Sequence, residues 1–311
     1  MNTPRLISIV VPVYNEESNV RIFVDAIRNI FRASMYSYEI IFVDDGSMDH
    51  TFATVRKLAE SDVRVKGISL SKNFGSHIAI TGGLSRAKGD AIVIMAVDLQ
   101  DLPDLIHEFL KQWEAGYEVV WGVRNKRNDP LLKSVFSAIF YRLLHWIVFP
   151  DYPVEGTGSF CLIDRKVKET ISTIEEKNRV IFGLIMWAGF HQTKVYYDRP
   201  SRKSSGSKWN VPRLFKTGID VFTAYSYAPV RITTYFGILF ILASFVAIIC
   251  VVLNWYLKRS VVAGWSTIMI SIFALGGVQM LSLGIIGEYI WRISEDVKRR
   301  PLFVVRDQIG V

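Results

Sequence analysis

The chain has 311 residues, half of them hydrophobic and 21% charged, with a net charge of +8. It is too apolar for a disordered chain and apolar even for a purely soluble one, and its length suits about two structural units. Two cysteines exclude a disulfide framework or a multi-cysteine zinc site, and none of the five histidines forms an HExxH pair.

In chain order, short β-branched runs alternate with helix-length periodic segments. Ile7–Val11, Glu39–Val43, Lys66–Leu70, Ala91–Val97 and Glu118–Gly122 read as strands. Ser18–Ala33, Asp49–Ser61, Ser76–Ala87 and Pro103–Ala115 read as helices. The opening LISIVVPVY is a strand broken by Pro12, not a signal peptide. Such alternation predicts a mostly parallel sheet with flanking helices, and ligands of such sheets bind at the carboxyl ends of the strands.

Each strand runs out into a polar stretch. After the first comes Pro12-Val13-Tyr14-Asn15-Glu16, after the second Asp44-Asp45-Gly46-Ser47, after the third Ser71-Lys72-Asn73-Phe74-Gly75. After the fourth comes Asp98-Leu99-Gln100-Asp101, after the fifth Gly122-Val123-Arg124. A DDGS stretch alone also makes a good turn and N-cap. Five polar loops in register with strand ends instead point to one site. Carboxylates there suit a divalent metal or ribose hydroxyls, and magnesium favours few protein ligands plus substrate phosphates. Neither GxGxxG nor GxxxxGK[ST] occurs, so a nucleotide-sugar diphosphate bridged by metal is the expected ligand.

Further on, Leu131–Phe149 reads as an amphipathic helix on a membrane surface, and Pro212–Tyr227 as a second. Ile232–Leu257 and Val261–Gly287 carry no charge, and only Lys258, Arg259 and Ser260 separate them. Each is long enough to cross a bilayer, which predicts a transmembrane hairpin. Basic residues from Arg199 to Lys216 and from Arg292 to Arg306 flank it, so both ends should be cytoplasmic. The expected organisation is a catalytic domain over 1–210, a juxtamembrane helix over 211–230, two transmembrane helices over 231–288 and a cytoplasmic tail over 289–311. The basic charge is then a membrane-flank signal, with no nucleic-acid motif beside it.

The motifs VVPVYNEE, VDDGSMD, LSKNFGSHIA, DLQDLPD, GVRNKR and GIIGEYIWRISEDVKRRP together resemble polyisoprenyl-phosphate glycosyltransferases of glycosyltransferase family 2. The resemblance spans nearly the whole chain and implies a GT-A fold, Rossmann-like, plus the membrane hairpin. It implies an inverting enzyme of the bacterial inner membrane. A sugar, glucose as the first choice, passes from a nucleoside diphosphate, UDP as the first choice, to undecaprenyl phosphate. By position it assigns Pro12, Tyr14, Asn15, Glu16, Asp44, Asp45, Gly46, Asn73 and His77 to the nucleotide sugar. Asp98 and Gln100 fall to the metal, Mg or Mn, and Asp98, Arg124, Arg202 and Lys208 to catalysis. Arg124, Arg127, Arg202, Ser207 and Lys208 fall to the acceptor phosphate. A homotetramer is also implied.

Two positions depart from the family pattern. Ala96 stands where an acidic residue would pair with Asp98, and Ser159 where an Asp proposed as base would stand. The second departure costs little, because a phosphate monoester with its second pKa near 6 is already nucleophilic at neutral pH. The site must instead supply cations that hold two anions in line, a task suited to arginine forks. RPSRKSSGSKW is expected to act as a mobile loop closing over substrate. The alternatives are a membrane scaffold with a degenerate transferase domain, or a family-2 transferase with another acceptor.

Overall fold

A computed structural model describes residues 5–32, 34–124, 157–177, 179–198 and 264–311, together with isolated helical positions between 235 and 256. The chain divides into two compact units, Met1–Lys208 with Arg300–Val311, and Trp209–Arg299.

The first unit is built on one sheet with strand order β7-β5-β6-β4-β1-β2-β3-β8. Its strands are β1 (Leu6–Val13), β2 (Ser37–Asp44), β3 (Val65–Leu70), β4 (Ala91–Ile94), β5 (Val119–Arg124), β6 (Thr157–Asp164), β7 (Gln192–Tyr197) and β8 (Val305–Ile309). Its helices are α1 (Glu17–Phe31), α2 (Thr51–Ser61), α3 (Ser76–Leu84), α4 (Leu105–Glu114), α5 (Arg165–Ser172) and α6 (Ile181–Trp187). The pairs β1–β2, β1–β4, β2–β3 and β5–β7 are parallel. The pairs β3–β8, β4–β6 and β5–β6 are antiparallel. The architecture is GT-A, a Rossmann-like, mostly parallel sheet with flanking helices.

Local sequence explains the elements. The inner strands are Val- and Ile-rich because both faces are covered. In α1, Val20, Phe23, Val24, Ile27, Ile30 and Phe31 are buried, the three-and-four spacing of one helical stripe. They pack on Ile7, Ile9 and Val11 of β1 and join Phe109 and Trp113 of α4 in one core. α3 covers the opposite face, where a Cβ on Gly83 would lie 2.4 Å from Val10 Cγ1. Only glycine lets this helix come so close to the sheet.

Strand order places the site. β1 runs on one side to β2 and β3 and on the other to β4, so the chain reverses direction across the sheet at β1/β4. Such a switch point leaves a crevice at the carboxyl edge. β1 and β4 stay paired only as far as Val10↔Ile94. Pro12, which has no N–H to donate, sits just beyond that last pair, where its missing donor breaks no ladder bond. β4 thus ends at Ile94, not at Val97 as its sequence suggests.

The later elements carry weaker sequence signals. β6, β7, α5 and α6 lie beyond the elements read from the sequence, although Val167 and Ile171 of α5 are buried one helical turn apart. The tail past Arg300 supplies β8, an edge strand on β3 with Gly67↔Ile309 in register. Ser71 N–H donates to Val304 O at 2.9 Å, and the Arg56 guanidinium pairs with Asp307.

In the second unit, α7 (Trp265–Val297) is one helix of 33 residues. It runs past the uncharged stretch and through Glu288, Arg292, Glu295 and Asp296. Ile268, Ile272, Met280, Leu281 and Ile290 are exposed along it. Among the described residues, no helix is long and apolar enough to cross a membrane. Most of the first uncharged run, and the helices expected over Leu131–Phe149 and Pro212–Tyr227, lie outside the described residues.

Candidate active site

Loops after β1, β2, β3 and β4 gather at the carboxyl edge of the sheet, where β5 ends at Arg124 and β7 ends beside it. On the β1/β2/β3 side the loops are interlocked by backbone groups. Asn15 stands at φ +53°. Its N–H donates to Ser47 Oγ and its Oδ1 accepts from Met48 N–H, both at 2.9 Å. Glu16 N–H donates to Thr51 Oγ1 at 2.9 Å, and Glu16 Oε2 accepts from Asn19 Nδ2 at 2.6 Å. Tyr14 keeps 37% of its surface exposed, which suits an aromatic face offered to a base.

The paired acids of DDGS are both buried. Asp44 accepts from Ser47 N–H and Ser69 Oγ, each at 3.0 Å. Asp45 accepts from Phe74 N–H at 2.7 Å and Gly75 N–H at 2.9 Å. Burial pushes the Asp45 carboxyl pKa up, against those two donors, and the Asp44 charge adds to the rise. Gly46 sits at φ +73°, and a Cβ there would lie 2.5 Å from the Lys72 carbonyl carbon and 2.8 Å from Asn73 N. The β2 loop and the Asn73 loop are therefore in backbone contact, and only glycine fits between them.

His77 lies in the first turn of α3. Its ring packs edge-on against Phe182 at 5.7 Å, and its Nδ1 is buried with no hydrogen-bond partner among the described residues. Burial lowers its pKa to about 4, so the imidazole is neutral at pH 7. A polar atom so placed is open to a ligand as well as to a purely structural role.

The β4/β5/β7 side is organised through side chains. Leu99 stands at φ +52°, a sparsely populated conformation for a non-glycine residue, and its side chain packs on the core. This turn sets Asp98 and Gln100 side by side, with Gln100 N–H donating to Asp98 Oδ1 at 3.3 Å. Asp101, the next acid, is fully buried. It accepts from Tyr197 Oη at 2.5 Å and lies 3.6 Å from Arg124 Nη2. Tyr197 is pushed up to about 12, first by burial and then by the Asp101 charge.

Among the described residues no group of three or more His, Cys, Asp and Glu converges on a metal position. Asp98 and Gln100 supply one carboxylate and one amide oxygen. That pair fits a hard divalent cation only if substrate phosphates and water fill the remaining positions. Arg127, Arg202, Ser207 and Lys208 lie outside the described residues, and so does the side chain of Ser159. Asp164 and Arg165 serve packing. Trp113 Nε1 donates to Asp164 at 2.7 Å, and Arg165 bonds the Lys88 and Gly89 carbonyls. Sequence reading passes over Asp101 as a site residue although it lies inside DLQD, and nothing in the sequence marks Tyr197.

Residues 8–171 match the sequence profile of Glycosyl transferase family 2, and residues 228–293 that of the GtrB C-terminal hairpin. The chain is 39% identical over 305 residues to the uncharacterized glycosyltransferase YkcC of Bacillus subtilis, covering 98% of this chain and 94% of that protein. It is 35% identical over 301 residues to the bactoprenol glucosyl transferase of Shigella phage SfII, with 96% and 97% covered. The prophage bactoprenol glucosyl transferase homolog of Escherichia coli K12 is also 35% identical over 301 residues, with 96% and 98% covered.

Proposed function

The chain belongs to glycosyl transferase family 2, and on that premise we propose that it transfers glucose from UDP-glucose to undecaprenyl phosphate with inversion. The bactoprenol glucosyl transferases among its relatives support the acceptor and the sugar. The observation that carries the reading is the gathering of the Asn15, Asp45, Asn73 and Asp98 loops, with Arg124 at the end of β5, on one carboxyl edge beside the β1/β4 switch point.

In this mechanism the acceptor phosphate oxygen attacks the anomeric carbon. The bond from that carbon to the β-phosphate oxygen breaks on the opposite side, and UDP leaves with the electron pair. Tyr14 and the Asn15–Glu16 turn face the nucleoside, while the Asp44–Gly46 weld holds the loops that shape its pocket. His77 is neutral and adds no charge against the diphosphate. Arg124 offers a planar fork to phosphate oxygens as charge develops on the leaving group. Asp98 and Gln100 would hold Mg or Mn, which when bound neutralises diphosphate charge. Arg127, Arg202, Ser207 and Lys208 complete the acceptor side of this reading. No strong base is needed, so a serine at position 159 is compatible with turnover.

A lipid acceptor asks for a membrane-held enzyme. Exposed Ile268, Ile272, Met280 and Leu281 on α7 suit lipid better than water. A two-helix hairpin over 231–288, with the catalytic unit cytoplasmic, belongs to the same reading, as does a homotetramer. Cysteine-accessibility mapping from both membrane faces and light scattering in detergent check the two.

The deciding experiment uses the full chain in detergent with undecaprenyl phosphate, a panel of nucleotide sugars, and Mg or Mn. Mass spectrometry of the lipid should show the addition of one hexose, abolished by EDTA. Asp98→Asn should lower turnover about a hundredfold. Bound nucleotide without product from any sugar would instead favour the degenerate scaffold, with Ala96 as the first suspect.

A further inference from the structure

We propose that Asp101 and Tyr197 are positioning residues for Arg124, with the Tyr197 hydroxyl acting as a spacer that keeps the guanidinium available to substrate phosphate. This rests on the reading of Arg124 as a phosphate ligand.

Three strands bring the groups together. β5 and β7 run parallel, and Arg124↔Tyr197 is their last pair in register. Residues so paired share a face at the carboxyl edge. Asp101 arrives from the loop after β4, three residues beyond Asp98. One carboxylate, one phenol and one guanidinium thus meet where the metal loop borders the phosphate cation.

The distances are unequal, and the inequality is informative. Tyr197 donates to Asp101 Oδ1 at 2.5 Å, a hydrogen bond to a carboxylate acceptor. Arg124 Nη2 stands 3.6 Å from that same oxygen, beyond hydrogen-bond range. Arg124 Nε reaches Tyr197 Oη only at 3.5 Å. An arginine beside a fully buried carboxylate would ordinarily close a two-bond fork on it. Here the phenol takes one lone pair of the oxygen that faces the guanidinium and stands beside it, and the ion pair stays at 3.6 Å without closing into a fork. The carboxylate offsets the cost of burying the cation without drawing it in. The Arg124 side chain keeps 20% of its surface exposed, while Asp101 has none, so the cation has an outward face.

Removing the hydroxyl should let Arg124 close on Asp101 and withdraw from phosphate. A merely structural hydrogen bond would instead act on stability, whatever stands at position 124. The two are separated by a double-mutant cycle on the full chain, read as lipid product with the donor that the panel assay identifies. Arg124→Lys keeps a cation for Asp101 but lacks Nε, the atom facing the phenol.

Tyr197→Phe is expected to lower kcat about tenfold, the worth of one hydrogen bond to a charged group, with KM for the donor nearly unchanged. Arg124→Lys is expected to lower kcat about a hundredfold. Tyr197→Phe added to Arg124→Lys should cost nothing more. If Tyr197→Phe costs the same factor in both backgrounds, the positioning role is overturned while Arg124 keeps its assignment. If Arg124→Lys turns over normally, the Arg124 assignment and this proposal both fall, and wild-type product still upholds the transferase. Should Tyr197→Phe unfold at assay temperature, Asp101→Asn takes its place in the cycle, with the same loss expected and the same additivity against it.

Discussion

The two sides of the site are built by different means. On the β1/β2/β3 side, carboxylates are committed to backbone. Both Asp45 oxygens take N–H groups of the Phe74–Gly75 turn, and Asp44 takes Ser47 N–H and Ser69 Oγ. On the β4/β5/β7 side, Asp101, Tyr197 and Arg124 meet side chain to side chain, and Arg124 keeps an outward face. The first arrangement fixes where loops run. The second fixes where a charge points. A substitution on the first side should cost stability and activity together, whereas replacing the outward-facing Arg124 on the second should cost activity with little stability.

The largest effect is expected at Gly46. Gly46→Ala forces a positive φ on alanine and drives its Cβ into the Lys72 backbone, costing about 3 kcal/mol. Urea unfolding measures it, and an unchanged midpoint would mean the two loops part freely. Next comes Asp45→Asn, which trades two acceptor oxygens for one and leaves a partly buried N–H of the Phe74–Gly75 turn unpaired, at about 1 kcal/mol. Nucleotide binding by calorimetry should weaken in step with the stability loss.

His77 gives an effect of similar size, visible in its pH dependence. Its folded pKa is about 4 against 6.5 for the ordinary imidazole, so between these values the unfolded chain binds more protons. Stability should therefore rise as pH climbs from 4 to 6.5, and fall as pH drops through that window. His77→Gln should remove on the order of 1 kcal/mol of that rise, the residue as a whole keeping some contact with solvent. Denaturant midpoints at pH 4.5 and 7 suffice, and an identical slope in the variant would mean that His77 charges freely in the fold. The smallest stability effect belongs to the other side. Arg124→Lys keeps the cation near Asp101 and should shift stability by less than about 1 kcal/mol, even as turnover falls. A large loss there would erase the distinction between the two sides.

Much of the first unit was legible in sequence. Strands β1 to β5 come from β-branched runs, and α1, α2 and α4 from their apolar spacing, because local period and burial agree there, whereas α3 is apolar with no one-sided stripe. The polar strand ends gained their meaning from the rule that parallel sheets bind ligand at their carboxyl edge. The later elements resisted for identifiable reasons. β6 pairs antiparallel between β4 and β5, and β8 pairs with β3 from more than 200 residues away. Neither pairing leaves a mark on local sequence. Asp44 and Asp45 read as site carboxylates from their place after β2. That both oxygens of Asp45 are taken by the Phe74–Gly75 turn depends on how two loops meet.

The sequence by itself determined the alternation of strands and helices, the polar loops at five strand ends, the two uncharged C-terminal runs and the family. These are properties of residue type and spacing, which act locally and along the chain. Only the tertiary structure decided the strand order, the β1/β4 crevice marked by Pro12, the return of the tail as β8, and the meeting of Asp101, Tyr197 and Arg124. Those depend on which distant backbones share a ladder and which side chains then share a face. Such contacts are set by packing the whole sheet, so no window of sequence contains them.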